Sequence, residues 1–331
     1  MITLYQLHWS HYVEKVRWAL DFKRIEWQKV EVEPFSKTQM SHLPCKTTLE
    51  SGQRLHTAPT IHDDVTGAAV SDSSKIIEYL EQTYPTPALF PQDAQERAEV
   101  TRWMLWLDST LGLGVRKLAY TQIALEHPGI LAELFVPGIV GNAGAESFKA
   151  KLAGSIIAGV LTRRFRFLHL RADRVFEKLE NCLLICAERL SSRPFLVGDH
   201  FTAADLTLAA LLRPALLVPW FRDHPRLQGL FEWRAAQAQE HRREKRVGYE
   251  AAMHAIRQRR GWDLGAVSWL AIAGRGSAPS PPAELPTLTA AINDQQSVGR
   301  FPRTTGFFTY LKLKRTCGFE RTSYARSPGK E

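Results

Sequence analysis

A change in hydrophobic periodicity at a proline-rich stretch limits the possible folds of this chain more than any other feature of its sequence. Before the stretch PTPALFPQD, residues 85–93, short alternating runs of the strand type are interleaved with amphipathic helix patterns. After it, apolar residues recur at helical spacing. The three prolines of the stretch interrupt both kinds of periodicity. The pattern therefore predicts an α/β domain followed by an all-helical domain.

These patterns divide the chain into four predicted segments. The α/β domain covers residues 1–84, the linker residues 85–93 and the helical domain residues 94–260. In residues 261–331 the periodicity fades and Pro, Ser, Thr and Gly become frequent, so we expect an extension with little structure. The full length of 331 residues is enough for two domains that each have a hydrophobic core.

The net charge of +9 suggests nucleic acid as a partner, but the distribution of the charge argues against it. Residues 262–331 hold nine basic and five acidic residues, and the rest of the chain has two short basic runs, LTRRFRFLHLR and EHRREKR. Runs of this kind are more often solvated helix faces than nucleic-acid sites. We therefore expect no nucleic-acid partner.

The cysteines and apolar runs indicate a cytoplasmic protein without a metal or an integral membrane segment. The cysteines, Cys45, Cys182, Cys186 and Cys317, form neither a CxxC pair nor a set with metal-ligand spacing. Cys182 and Cys186 lie one helical turn apart among leucines, which predicts buried thiols. The apolar runs are shorter than the roughly 20 residues that span a bilayer, and the first residues do not resemble a secretory signal.

A strong helix start lies in the second half of the chain, in the stretch RPFLVGDHFTAADLTLAALL. Thr202 and Asp205 have the spacing of a capping box, and Phe201 and Leu206 that of a hydrophobic staple. The apolar residues that follow predict a buried helix at the centre of the helical domain.

Three short elements of the first domain carry candidate chemistry. Ser10 lies at a strand-to-helix turn, Ala58–Pro59 directly precedes a hairpin strand, and Asp72–Ser73 begin the next helix. These three elements are followed by the stretch SSKIIEYLEQTYP and later by the capped helix. In this order they resemble the pattern of the glutathione transferase superfamily. The resemblance covers about residues 1–258 and is best over residues 2–20, 57–84 and 193–210.

The resemblance implies a thioredoxin-like domain that binds glutathione and an all-α domain that supplies most of the pocket for a second substrate. A cis Ala58–Pro59 bond would present the Ala58 backbone to the cysteinyl part of glutathione. Asp72 would pair with its ammonium group, and Ser73 would bind its γ-glutamyl carboxylate. The simpler alternatives are a trans proline and residues that only cap a helix.

Ser10 is the candidate catalytic residue. Redox members of thioredoxin-like folds have cysteines where this chain has Ser10 and Val13, so thiol-disulfide exchange lacks a nucleophile here. The resemblance implies instead that the Ser10 hydroxyl donates a hydrogen bond that favours the glutathione thiolate. Tyr12 and Tyr5 are rival hydroxyl donors, and Ser10 alternatively serves as a helix N-cap.

The site for the glycyl carboxylate is less well marked. Members of the family often have Gly-Lys or Gly-Gln where this chain has His56–Thr57. Lys46, Gln53, Arg54 and His56 are candidates, and we favour Arg54. For the second-substrate pocket we predict Asp108, Arg116 and Tyr120 near a glycine-interrupted part of the first long helix, with surface pairing as the alternative.

The first functional hypothesis is a transferase that joins glutathione to a small electrophile and acts as a homodimer in detoxification. Glutathione is then a co-substrate, and no metal is needed. The alternative is a non-catalytic scaffold that binds a ligand or another protein. A third idea is contact with membrane surfaces through the basic stretch from Arg163 to Arg171.

Overall fold

The structure, a computed structural model, describes most of the two predicted domains. The described residues are 1–7, 9–33, 36–48, 52–118, 128–136, 140, 144, 147–165 and 172–243. The predicted extension, residues 261–331, lies outside them, and so do residues 166–171 of the basic stretch.

The first domain alternates strands and helices. Its described elements are β1 (Ile2–Gln6), α1 (His11–Phe22), β2 (Trp27–Glu31), α2 (Lys37–Ser41), β3 (Thr47–Thr48), β4 (Arg54–Leu55), β5 (Thr60–Asp63), β6 (Ala69–Ser71) and α3 (Ser73–Thr83). Strand β2 runs parallel to β1, and the crossover helix α1 connects them, so these three elements form a βαβ unit. Strands β5 and β6 form the predicted antiparallel hairpin.

The main sheet has the strand order β2-β1-β5-β6, and β3 and β4 form a separate two-stranded ribbon. Ile2, Leu4 and Ile61 of the sheet are fully buried and belong to the same core as Val16 of α1 and Ile77 of α3. Both helices thus bury their apolar faces on the sheet. This arrangement is the thioredoxin-like domain that the resemblance implies.

From residue 94 the described chain contains helices and no strand. The helices are α4 (Ala94–Leu107), a π-helical turn (Asp108–Gly112), α5 (Pro128–Phe135), α6 (Phe148–Phe165), α7 (Ala172–Ser191), α8 (Ala203–Leu211), α9 (Pro219–Arg222) and α10 (Gln228–His241), with 3-10 turns at Arg213–Leu217 and Pro225–Leu227. None of the described helices is long and apolar enough to cross a membrane. Cys182 and Cys186 are buried in the core on α7, as predicted.

Helix α8 begins at the predicted capping box. The Thr202 hydroxyl accepts a hydrogen bond from the Ala204 N–H, and Asp205 Oδ2 accepts one from the Thr202 N–H at 2.9 Å. Asp205 Oδ1 also accepts from the Leu196 N–H at 2.8 Å, so the carboxylate joins the preceding loop to the helix. Burial raises the pKa of Asp205 to about 6, although these hydrogen bonds oppose the shift. Every residue of α8 is buried.

A buried ion pair fastens the linker to the first domain. Lys23 Nζ lies 2.7 Å from a carboxylate oxygen of Glu81 and donates hydrogen bonds to the carbonyl oxygens of Tyr84 and Pro87. The Glu81 carboxylate in turn accepts a hydrogen bond from the Leu89 N–H. Charges that leave water are tolerated when they are paired and hydrogen-bonded in this way. The proline-rich linker is therefore held against the end of α1 and α3.

Candidate functional site

The ends of three strands place the predicted site segments at one edge of the sheet. Tyr5 of β1 pairs with Thr60 of β5, and Thr60 pairs with Ser71 of β6. Because both pairings are antiparallel, the end of β1, the start of β5 and the end of β6 lie side by side. The segments that follow or precede these strand ends are Ser10, Ala58–Pro59 and Asp72–Ser73.

Ser10 is the N-cap residue of α1. Its backbone is extended, and its hydroxyl oxygen accepts a hydrogen bond from the Val13 N–H at 3.5 Å, which is long for such a bond. The side chain is half-buried, and its hydroxyl hydrogen has no acceptor among the described residues. Capping uses the oxygen as an acceptor, so the hydroxyl can still donate to another group.

The Ala58–Pro59 peptide bond is cis, as predicted. Ala58 is half-buried and packs against a small apolar cluster. Trp9, the neighbour of Ser10 in sequence, packs against the same cluster. The shared cluster therefore holds the cis-proline turn beside the turn of Ser10. Its members are Leu7, Val32, Met40 and Leu43.

A triangle of buried hydroxyl groups lies next to the cis-proline turn and connects it to two strands. The Thr47 oxygen lies 2.6 Å from those of Thr57 and Ser71, which are 3.0 Å apart. Each of the three hydroxyls has one hydrogen and a neighbour to accept it, so the triangle can satisfy all three. The Thr60 hydroxyl donates to the Thr57 carbonyl at 2.6 Å. These bonds join the β3–β4 ribbon, the turn and the end of β6.

Asp72 and Ser73 differ in how their side chains are used. Asp72 caps α3: its Oδ1 accepts hydrogen bonds from the N–H groups of Ser74 at 3.0 Å and Lys75 at 3.3 Å. Its φ of 87° is unfavourable for a residue with a side chain, and such strain concentrates at functional sites. Ser73 is buried, yet its hydroxyl makes no hydrogen bond to any described residue.

The Asp108 side chain, predicted for the second-substrate pocket, is bound to the first domain. Lys15, which is fully buried, places its Nζ 2.8 Å from Asp108 Oδ2, and the Ser74 hydroxyl donates to the same oxygen at 2.7 Å. Lys15 Nζ also donates to the Ser74 hydroxyl at 2.9 Å. The carboxylate thus connects α1 and the start of α3 with the end of α4. Its predicted contact with a substrate stays a prediction.

The first turn of α1 is also docked on the π-helical turn. The Tyr12 hydroxyl donates to the Asp108 carbonyl oxygen at 3.1 Å, and the His11 Nε2–H donates to the Gly112 carbonyl oxygen at 2.9 Å. Burial raises the pKa of Tyr12, so its phenol is a neutral donor whose hydrogen is directed at a carbonyl. π-Helical turns are frequent at functional sites. Here the turn supplies carbonyl acceptors to two residues next to Ser10.

The remaining predicted residues differ in what the structure shows of them. Arg116 is half-buried and near enough to His11 that its charge adds to the effect of burial in lowering the pKa of the imidazole. Arg54 is exposed on β4, in the ribbon that Thr47 joins to the cis-proline turn. Tyr5 is half-buried against the cluster below Ala58. Tyr120 lies outside the described residues.

Two residues beside the candidate site, Trp9 and Lys15, were not among the predicted site residues. Both depend on partners far away in sequence, since Trp9 Nε1 donates to the Leu134 carbonyl oxygen and Lys15 pairs with Asp108. For Lys15 no local signal was present in the sequence, because α1 carries four charged residues and only the tertiary structure buries them. The described residues contain no group of three His, Cys, Asp or Glu side chains that could hold a metal ion.

The buried imidazole of His11 predicts a dependence of stability on pH. Burial lowers its pKa to about 3 from an ordinary value near 6.5. Between these values the unfolded chain binds one proton more than the native state, so stability is lost as the pH falls through this window. A difference of one bound proton changes the free energy of unfolding by about 1.4 kcal/mol for each pH unit. We expect His11→Gln to have a shallower loss of stability between pH 6.5 and pH 4 in urea unfolding.

The exposed His42 supplies a matched control for this measurement. His42→Gln should keep the wild-type dependence on pH, because its imidazole is in contact with water in both states. Identical curves for His11→Gln and the wild type would contradict a buried, neutral His11.

Comparisons with known proteins are consistent with this geometry. The family model described as the glutathione S-transferase N-terminal domain matches residues 4–88, and that of the C-terminal domain matches residues 171–236. A probable glutathione S-transferase of Nicotiana tabacum is 26% identical over 108 residues, which are 32% of this chain and 44% of the tobacco protein. The chain thus spans under half the length of this relative.

Solved structures share the fold at low sequence identity. Glutathione transferase GSTFuA3 from Phanerochaete chrysosporium has a TM-score of 0.53 at 20% identity, over 72% of this chain and 96% of its own. Beta-etherase LigF from Sphingobium sp. strain SYK-6 has a TM-score of 0.52 at 22% identity, over 77% of this chain and 99% of its own. Residues 4–88 and 171–236 are thus similar to the N-terminal and C-terminal domains of the glutathione S-transferase superfamily, and the two domains follow one another in the same order in this chain.

Proposed function

We propose that this protein is a glutathione transferase that uses the Ser10 hydroxyl to hold glutathione as its thiolate. The observation that carries the proposal is the position of this hydroxyl, at the N-cap of α1 and on the same sheet edge as the cis-proline turn and the start of α3. A thiolate here would accept the hydroxyl hydrogen that has no acceptor among the described residues. The N-terminus of α1 would add about 0.3–1 kcal/mol of stabilisation.

The chemistry requires no covalent change of the protein. The glutathione thiol gives its proton to solvent, and a sulfur electron pair forms a bond with the electrophilic carbon of the second substrate. In a substitution the leaving group departs with its own electron pair. In an addition the electron pair moves onto the acceptor, which then takes a proton from solvent. Ser10 stabilises the sulfur anion, and Tyr12 is a further candidate donor.

The other two segments at this edge of the sheet, Ala58–Pro59 and Asp72–Ser73, are proposed to bind glutathione. The backbone of Ala58, exposed by the cis Pro59, would pair with the cysteinyl residue. Asp72 uses Oδ1 to cap α3, which leaves Oδ2 for the glutathione ammonium group. The Ser73 hydroxyl and the first N–H groups of α3 would bind the γ-glutamyl carboxylate. Arg54 remains our candidate for the glycyl carboxylate.

The direct test is a titration of reduced glutathione into the purified protein, followed by the ultraviolet absorbance of the thiolate across neutral pH. We expect an absorbance that saturates with glutathione and is present below the ordinary thiol pKa of about 8.5. Saturable binding without this absorbance would favour the alternative function, a non-catalytic scaffold, which the unusual His56–Thr57 pair suggests. An absence of binding would reject the glutathione site.

Ser73→Ala should weaken the binding of glutathione by about 10- to 100-fold, because a hydrogen bond to a charged group contributes about 1.5–3 kcal/mol. The dipeptide Cys-Gly lacks the γ-glutamyl group and serves as the matched ligand. Its affinity should be the same for Ser73→Ala and the wild type in calorimetric titrations. An equal loss for both ligands would place Ser73 outside the γ-glutamyl site.

The physiological setting is a further part of the proposal. We propose a cytoplasmic homodimer that conjugates small electrophiles for detoxification, in line with the similarity of both domains to the superfamily. Asp108, Arg116 and Tyr120 are proposed for the side of the site that faces the second substrate.

A further inference from the structure

The outer face of α6 exposes large apolar side chains in a regular row. Phe148 is 79% exposed, Leu152 53% and Ile156 62%. Because they are four residues apart on a helix, they lie above one another and form a continuous row, the α6 stripe. The stripe holds three of the seven large apolar side chains that are exposed in the described part of the chain. Single exposed apolar residues are ordinary, whereas a contiguous row marks an interaction site.

The opposite side of α6 supplies the contacts that hold this helix in the protein. Helices α5 and α6 form a hairpin, the α5–α6 hairpin, and Ala150 and Ile157 of α6 are buried in its core. A Cβ at Gly154 would overlap the carbonyl oxygen of Pro128, so the two helices cross closely there. The packing face of α6 is thus already covered by α5, and the stripe points away from it.

The charges on and around α6 have a single sign. From residue 147 to residue 172 the sequence contains no Asp or Glu. Its basic residues are Lys149, Lys151, Arg163, Arg164, Arg166 and Arg171. With about 3.6 residues per turn, Lys149 and Lys151 project to opposite sides of the stripe, and both are exposed. An apolar row between positive charges is the pattern of a helix that lies in the surface of an anionic membrane.

This charge also decides between possible partners of the stripe. A second copy of the chain would bring two positive surfaces together, which like-charge repulsion opposes. Nucleic acid would match the charge but not the apolar row. A leaflet with anionic lipids offers hydrocarbon to the apolar side chains and negative charge to the basic ones. None of the described helices could cross a membrane, so α6 would lie along its surface.

We propose that α6 docks this protein on the surface of membranes that contain anionic lipids. Phe148, Leu152 and Ile156 enter the boundary between headgroups and acyl chains, and the flanking lysines face the anionic headgroups. This docking surface is independent of the glutathione chemistry proposed above. The basic stretch from Arg163 to Arg171 suggests membrane contact from the sequence alone, and the structure adds an exposed apolar stripe on the helix that leads into it.

Co-sedimentation of the full-length protein with large vesicles tests the proposal. We expect saturable binding to vesicles of phosphatidylcholine and phosphatidylserine, and binding at least about 10-fold weaker to phosphatidylcholine alone. Added salt should weaken the binding to the anionic vesicles, because it screens exposed charges. Leu152→Gln should weaken the same binding about 10-fold, since a leucine then no longer leaves water on docking.

Leu105→Gln is the matched control for Leu152→Gln. Leu105 is 50% exposed, close to the 53% of Leu152, and lies on another helix, α4. Leu105→Gln should therefore bind vesicles as the wild type does. Lys149→Gln should weaken binding to the anionic vesicles about 5-fold, the effect of one basic residue near an anionic surface. Ile156→Gln repeats the test at a second position of the stripe, in case Leu152→Gln fails to fold.

Three results would overturn the proposal. The first is a wild type that does not bind the anionic vesicles. The second is equal binding by the wild type, Leu152→Gln and Ile156→Gln, which would assign the binding to basic residues elsewhere in the chain. The third is equal binding of the wild type to vesicles with and without phosphatidylserine. If vesicle binding is absent and Leu152→Gln dissociates a dimer in sedimentation velocity, the stripe is a contact between copies of the chain.

Discussion

Replacing Ser10 with alanine is expected to remove the thiolate absorbance of bound glutathione at neutral pH and to lower kcat about 100-fold. Loss of one donor that stabilises a reacting anion has an effect of this size. The apparent pKa of the bound thiol should return toward about 8.5, the ordinary value of a cysteine thiol. Glutathione affinity should change little, because Ala58, Asp72 and Ser73 make the other proposed contacts.

Ser10 is also a helix cap, so the experiment needs variants that separate the two roles. Glycine is nearly as good an N-cap as serine and has no hydroxyl, so Ser10→Gly should keep stability and still lose the thiolate. Ser36 caps α2 in the same way, with its oxygen 3.2 Å from the Gln39 N–H, and Ser36→Ala should keep the thiolate. A thiolate that persists in Ser10→Gly would assign its stabilisation to another donor, with Tyr12 the first to test.

Asp205→Ala is expected to lower the free energy of unfolding by about 3–5 kcal/mol. The substitution leaves the N–H groups of Leu196 and Thr202 buried without acceptors, at about 1–3 kcal/mol each, and removes the capping box. Urea unfolding at pH 7.5 measures the effect with the native carboxyl ionised, since its pKa is about 6. All measurements should be made at one protein concentration, because a dimer makes apparent stability depend on it.

Asp93 provides the matched control for Asp205. It is the N-cap residue of α4 and, like Asp205, accepts two backbone hydrogen bonds at a helix start, from the N–H groups of Gln95 and Glu96 at 2.9 Å, but it is exposed. Asp93→Ala should therefore cost about 1 kcal/mol, the ordinary value of a cap. Equal losses for the two substitutions would contradict the role of burial at Asp205.

The fold was predictable because its signals are local. The Thr202–Asp205 box needs four consecutive residues, and the β5–β6 hairpin needs two short strand patterns around a turn. Each of these patterns predicts the same local structure regardless of the sequence elsewhere in the chain. The π-helical turn at Asp108–Gly112 has no such local code, and the sequence indicated there only a helix interrupted by glycines.

The sequence predicted the three segments that lie at the edge of the sheet, but it did not predict which residues their neighbours would contact. Ser10, Ala58–Pro59 and Asp72–Ser73 were found because their order along the chain matches a family pattern. Asp108 was predicted for the second-substrate pocket, and its pairing with the buried Lys15 was not predicted. A buried lysine requires an anion, but which anion it meets depends on how two domains pack together.

The sequence by itself determined the two domains, their order, the helix caps and the residues at the edge of the sheet, since periodicity and capping act within a few residues. Tertiary structure decided three further things: the Lys15–Asp108 pair, the hydroxyl triangle around Thr57, and the contact of Trp9 with the α5–α6 hairpin. Residues 9 and 134 are separated by most of the first domain and α4. The two residues come into contact because whole helices pack together, which gives buried polar groups hydrogen-bond partners and at the same time removes apolar surface from water.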